Sequence, residues 1–231
     1  MKQLLTAGLD QLRLPTDNVD ALLQYADALL ETNKVMNLTA ITDPADVATL
    51  HFLDSAALLT LADFAGKRVV DVGTGAGFPG MPLRILEPSI RLTLLDSLGK
   101  RITFLQGVCD QLGLVNVECI HARAEEFAAK HRESYDIATS RAVASLPLLA
   151  ELSLPLVKVG GHFLPMKAVD SDEELASAAH AIRVLGGRLA DVKDYRIPGT
   201  EVTHRLVVIE KVTPSPAKYP RAFAKIKKSP L

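Results

Sequence analysis

Residues 67–86 read KRVVDVGTGAGFPGMPLRIL. The run 68–72 has the length and valine content of a buried parallel strand. Met81, Leu83, Ile85 and Leu86 then recur at helical spacing, with Pro79 and Pro82 in a first turn that tolerates proline. Between them lies Gly73-Thr74-Gly75-Ala76-Gly77-Phe78-Pro79-Gly80. A connection of this kind must turn sharply while a ligand approaches its backbone, and glycine, lacking a Cβ, allows both. Strand, glycine loop and helix together set an α/β expectation for the chain.

Two ligands compete for the loop. Gly75-x-Gly77-x-x-Gly80, with Asp96 about 20 residues on, has the dinucleotide fingerprint. Asp71-Val72-Gly73-x-Gly75-x-Gly77 instead has the form of the first motif of S-adenosylmethionine (SAM) methyltransferases. A pyrophosphate at a helix N-terminus needs free N–H groups and is repelled by a carboxylate. Pro79 and Pro82 remove such donors, and Asp71 places negative charge at the root of the loop. The cationic SAM, which has no phosphate, suits it better than NAD; a purely structural glycine turn is the remaining reading.

Outward from this stretch, strands are expected at 68–72, 91–95, 116–121, 135–139 and 161–167, alternating with helices at 79–86, 98–113, 123–131, 145–159 and 172–185. Ser171-x-x-Glu174 reads as a capping box for the last of these. The segments 188–196 and 202–212 read as two strands joined without a helix. The expected fold is α/β, a doubly wound and mostly parallel sheet closed by an antiparallel C-terminal strand pair, which resembles the SAM-dependent methyltransferase type. Residues 1–65 read as an N-terminal helical cap, with Asp43 as N-cap and Pro44 at the first position of its second helix. The organisation is therefore cap 1–65, SAM-binding core 66–213 and basic tail 214–231.

Composition describes an ordinary folded globule: 231 residues, 48% hydrophobic and 23% charged. Cys109 and Cys119 lie outside any CxxC pair, so no metal site is expected, and they read as free thiols in a reducing compartment. No signal core or membrane-length apolar run is present, and a cytoplasmic monomer without membrane association is the expectation. Net charge is −1, yet residues 211–231 carry six basic side chains and no acidic one, with Tyr219 and Phe223 interleaved. Such a run is a solvated tail or an RNA contact.

In open α/β sheets ligands bind beyond the carboxyl ends of the strands. The first strand ends in Asp71 and the glycines. The second ends in Asp96, whose carboxylate can accept from a ribose diol or cap the next helix. The third runs into Ala124 and Glu125, suited to an adenine edge. The fourth ends at Arg141, read as binding a carboxylate or phosphate rather than making a surface ion pair. The fifth ends at Lys167. In the cap, His51, Asp54 and Ser55 can share a helix face, as either an ordinary polar surface or a substrate contact. No Asp/Asn-Pro-Pro-aromatic run, Pro-Cys nucleophile or hydroxyl-His-Asp set is apparent. What remains is an acceptor with its own lone pair, such as guanine N7, for which alignment alone drives transfer.

Met36-Asn37-Leu38-Thr39, His51-x-x-Asp54-Ser55, Asp71 through Gly80, Leu95-Asp96-Ser97, Lys100-Arg101, Arg123-Ala124-Glu125, Ser140-Arg141-Ala142 and Tyr219-Pro220-Arg221 together resemble the glucose-inhibited division protein B family. These are the bacterial 16S ribosomal RNA guanine-N7 methyltransferases. The resemblance implies SAM as cofactor, S-adenosylhomocysteine as product, and 16S RNA or a small-subunit particle as partner. It implies cofactor contacts at Gly73, Phe78, Asp96, Ala124, Glu125 and Arg141, beside Asp71, Gly75 and Gly77 of the loop. Asn37, His51, Ser55, Lys100, Arg101 and Arg221 become RNA candidates, and Arg141 and Lys167 candidates for positioning the target base. Ala168 departs from the glycine that many members carry after the lysine. The alternatives are an NAD-dependent oxidoreductase and a SAM-binding module without catalysis.

Overall fold

The computed structural model describes every residue from Met1 to Leu231. Seven strands, β1 (Arg68–Val72), β2 (Arg91–Asp96), β3 (Val117–His121), β4 (Tyr135–Arg141), β5 (Val157–Ala168), β6 (Gly187–Arg196) and β7 (Thr203–Lys211), form one sheet. Their order is β3-β2-β1-β4-β5-β7-β6. The first five are parallel, and β7 runs antiparallel to both β5 and β6. The chain moves outward from β1 to β3 and then returns to the other side of β1. The order therefore reverses between β1 and β4, and a crevice opens at their carboxyl ends.

Side chains alternate across the sheet, so Val69 enters one core while Val70 and Val72 enter the other. The first core is covered by α1 (Lys2–Leu12), α2 (Val19–Met36), a π-helical segment Val47–Leu53, α4 (Asp54–Leu61), α5 (Gly80–Leu86) and α6 (Gly99–Gln111). A single turn, α3 (Pro44–Asp46), leads into the π segment. The second core is covered by α7 (Ala124–Lys130), α8 (Leu146–Ser153), α9 (Asp172–Val184) and α10 (Phe223–Lys228). Leu5, Leu22, Tyr25 and Phe52 of the N-terminal helices share one core with Met81, Leu94 and Ile137. The cap is thus a covering layer of the sheet.

Local signals set several boundaries. Asp43 caps as expected, its Oδ1 accepting from the Ala45 and Asp46 N–H groups at 2.8 and 3.1 Å. The helix expected over 145–159 ends at Ser153, because Pro155 follows; a 3-10 turn at Leu154–Leu156 leads into a longer β5. The capping box does not form. The buried Ser171 hydroxyl has no partner, while Glu174 Oε1 accepts from the Leu146 N–H at 2.6 Å and from Lys167 Nζ at 2.8 Å. A nearby cation and an otherwise orphaned amide hold that carboxylate more strongly than a neutral cap would.

The basic tail folds back onto the second face. Ile226 of α10 is fully buried, and Arg132 donates to the carbonyls of Ser215 and Tyr219. Lys211 is buried too, donating to Leu154 O at 2.6 Å and Ser215 Oγ at 2.9 Å, and burial lowers its pKa to about 8.

Candidate active site

β1 delivers Asp71, fully buried, beneath the glycine loop. Its Oδ2 accepts from Thr74 Oγ1 at 2.7 Å and from the Gly80 N–H at 2.9 Å, while Oδ1 has no partner. Burial raises its pKa to about 6, against those two bonds. Asp71 lines no part of the cleft above it, so it acts on a ligand only by shaping the loop.

The other loop amides are also taken. Gly73 and Thr74 donate to Leu95 O at 2.8 and 3.1 Å, Gly77 and Phe78 to Thr74 O at 2.9 and 3.2 Å, and Met81 to Gly77 O at 2.8 Å. Gly75 donates to Asp96 Oδ2 at 2.9 Å. From residue 73 to 81 only Ala76 retains an N–H without a partner in the chain. Positive φ at Gly73, Gly75 and Gly77 (71°, 62° and 104°) permits this path.

Two adjoining clefts lie over the loop. The larger, about 430 Å³, is bounded by the glycines, Phe78, Asp96, Arg101 and Arg141, with Leu38, Thr39 and His51 of the N-terminal layer on its wall. The smaller, about 140 Å³, has Ala122, Ala124, Leu152 and Phe223 as walls and Glu125 as its acidic member. Gly73, Asp96, Ser97 and Val143 line both. Asp96 is anchored there: Oδ1 accepts from the Leu98 N–H at 2.9 Å, and Oδ2 takes Arg101 Nη1 at 3.3 Å besides Gly75. Helix α6 begins one residue after Leu98, so Asp96 braces the turn without being its N-cap.

Arg141, at the end of β4, faces its own chain. Nη1 donates to Leu50 O at 2.9 Å and Asp54 Oδ2 at 3.0 Å, Nη2 to His51 Nδ1 at 2.8 Å, and the guanidinium lies 5.0 Å above the Phe78 ring. The carboxylate it binds is thus Asp54, which is fully buried and also accepts from Tyr195 Oη at 2.7 Å and His204 Nδ1 at 2.9 Å. That bond to Asp54 raises the His204 pKa. His51 stacks on Phe78 at 4.5 Å, and burial with the adjacent Arg141 pushes its pKa down to about 3. Ser55 is buried, donating to His51 O at 2.6 Å, and offers no surface contact. No group of three or more His, Cys, Asp or Glu side chains is gathered as a metal would require.

A family described as rRNA small subunit methyltransferase G (GidB) matches residues 18–203. The ribosomal RNA small subunit methyltransferase G of Alkaliphilus metalliredigens is 46% identical over 235 residues, covering 100% of this chain and 98% of that one. This chain belongs to the GidB family.

The Desulfitobacterium hafniense protein of the same name is 45% identical over 95% of this chain and 92% of its own. Solved structures agree on the fold. TrmN from Thermus thermophilus superposes with a TM-score of 0.53 at 23% identity, over 68% of this chain and 48% of TrmN. A predicted O-methyltransferase, Atu636 of Agrobacterium tumefaciens, gives 0.53 at 19% identity over 72% of this chain and 82% of its own.

Within this GidB-family chain, several residues singled out in the sequence are already engaged. Lys167 lines neither cleft; its Nζ binds Ala144 O at 2.9 Å and Glu174, bracing the loop after β4. Arg221 pairs with the buried Glu151 at 2.8 and 2.7 Å and fastens the tail. Lys100 and Asn37 are exposed.

Other side chains went unread. Asn33 Oδ1 accepts from the Leu38 and Thr39 N–H groups at 2.6 and 2.9 Å, and its Nδ2 returns a bond to Thr39 O at 3.0 Å. Asn33 thereby presents Thr39, the last residue of the Met36-Asn37-Leu38-Thr39 motif, to the cleft. Phe223, read in the sequence only as an aromatic of the basic tail, lines the small cleft, and Val143 beside it carried no local signal. For Asn33 the available hint was the amide-rich and hydroxyl-rich run of residues 33–41.

No helix is long and apolar enough to cross a membrane.

Proposed function

We propose that this chain transfers a methyl group from SAM to N7 of a guanine in small-subunit ribosomal RNA. The observation that carries the cofactor is the glycine loop: every amide from Gly73 to Met81 except that of Ala76 is engaged internally, which leaves a diphosphate almost without donors, and the cleft-lining carboxylate is Asp96, which favours a sulfonium over a diphosphate. The donor set fits SAM. Asp96 Oδ1 keeps a lone pair for a ribose hydroxyl, and the small cleft's apolar walls, with Glu125, suit an adenine ring. The names of the relatives support the RNA target.

SAM, when bound, supplies an electrophilic methyl group. The chain's part is alignment, with no base required, because a guanine N7 lone pair is nucleophilic at neutral pH. His51 is unsuited to be a base: its Nδ1 faces Arg141 and its Nε2 faces Thr39 at 2.8 Å. Exposed Lys100 and the tail's Lys225, Lys227 and Lys228 provide cations for RNA phosphates.

The test is methyl transfer from labelled SAM to unmodified small-subunit RNA and to small-subunit particles, with the product mapped to guanine N7. Tight SAM binding without transfer to any RNA supports a binding module instead. NADH binding with SAM excluded supports an oxidoreductase.

A further inference from the structure

We propose that the Thr39 hydroxyl is a donor that reads the 6-oxo group of the target guanine, beside the N7 that is methylated. The proposal rests on the functional reading above. It begins from a guanidinium, which only donates. Arg141 Nη2 lies 2.8 Å from His51 Nδ1, so Nδ1 is the acceptor and the neutral ring carries its hydrogen on Nε2. That Nε2 lies 2.8 Å from Thr39 Oγ1, which therefore accepts. The Ile41 N–H donates to the same oxygen at 3.1 Å. A hydroxyl has two lone pairs and one hydrogen, and both lone pairs are now used. The hydrogen has no acceptor within the chain, and Thr39 lines the larger cleft. Thr39 thus presents a donor and no acceptor.

The presentation is built. Asn33 clamps the Thr39 backbone through both its N–H and its carbonyl. Thr39 belongs to the larger cleft only, away from the apolar walls of the smaller one. With adenine held between those walls and ribose at Asp96, the methyl-bearing end of SAM would lie on the side of the N-terminal layer, where Thr39 and His51 stand.

Guanine shows two adjacent acceptors on that edge, N7 and O6, whereas adenine shows an acceptor beside an amino donor. A donor-only hydroxyl pairs with O6 and leaves the N7 lone pair free for the methyl carbon. Opposite adenine it faces another donor, and both groups lose their hydrogen bonds.

Thr39→Val keeps the shape but deletes the donor together with the oxygen that accepts from His51 and Ile41, so a loss that is merely structural would persist on any target base; Thr39→Ser keeps both functions. With unmodified small-subunit RNA, Thr39→Val is expected to lower kcat/KM by about 10- to 100-fold. SAM affinity by calorimetry is expected to stay within about twofold of wild type, because Asn33 still clamps the loop backbone, and Thr39→Ser is expected to restore the rate. With 2-aminopurine at the target position, which lacks the 6-oxo group, wild type and Thr39→Val are expected to react alike. Equal rates on guanine for wild type and Thr39→Val overturn this proposal alone. A matching loss of SAM affinity also overturns it, because the hydroxyl would then serve the methionine carboxylate. Wild-type protein that binds SAM and methylates no RNA overturns the functional reading and this proposal with it.

Discussion

Arg141 Nη2 lies 2.8 Å from His51 Nδ1, and because the guanidinium cannot accept, this contact holds the imidazole neutral. Protonating His51 in the folded protein places a second cation against Arg141, consistent with a pKa near 3 compared with 6.5 for the free side chain.

A folded-state pKa below the unfolded one means that the stabilisation is complete above pH 6.5 and is lost as pH falls toward 3. Urea unfolding of wild type and His51→Gln should therefore converge on acidification. The difference between them should shrink by at most about 1.4 kcal/mol per pH unit below that point. A constant difference from pH 7 to pH 4 would contradict a His51 held neutral in the folded protein. Asp71 has the opposite sign: raised to about 6, it favours the folded state as pH falls.

Asp54 joins the N-terminal layer to the sheet by accepting from Arg141, Tyr195 and His204. Asp54→Ala strands a guanidinium that is only 14% exposed, and should cost about 3–5 kcal/mol in urea unfolding. Tyr195→Phe removes one hydrogen bond to the same carboxylate and should cost about 1.5–3 kcal/mol.

At Gly77, where φ is 104°, a Cβ would lie 2.7 Å from Leu105 Cδ2 and press on the Tyr25 hydroxyl that holds Ala76 O. Gly77→Ala should displace the loop and weaken SAM binding by about 5- to 150-fold, since a strained turn costs about 1–3 kcal/mol. A Cβ added at Gly107, within α6, would meet nothing within 4 Å. Gly107→Ala should leave SAM affinity unchanged and raise stability by about 0.5–1 kcal/mol, which chemical denaturation would read.

The tail has two separable roles. Phe223 forms a wall of the small cleft, with Arg123 5.7 Å from its ring centre, and Phe223→Ala should weaken S-adenosylhomocysteine binding by about 3- to 10-fold in calorimetry. Replacing Lys225, Lys227 and Lys228 by alanine should leave that affinity intact. It should lower RNA affinity and reduce the salt dependence by up to about three phosphate contacts.

The glycine loop and the strand-helix alternation were legible in sequence because glycine spacing, apolar period and proline position act through the nearest few residues. They placed β1, the loop and α5 within a residue or two, and drew Asp96, Ala124 and Glu125 to the strand ends that border the clefts. What the sequence did not show is the remote partner that each of several charged side chains meets. Arg141 and Lys167 resembled ligand cations at strand ends until Asp54, 87 positions away, and Glu174 met them. Glu174 resembled a helix cap, and Arg221 an RNA contact, until Lys167 and Glu151 claimed them. The sequence by itself determined which segments form strands, turns and helices, because those choices are made by short-range sterics and burial. Only the tertiary structure decided which charged and polar side chains remain free for a ligand, because pairing between distant positions depends on where the packed sheet brings them.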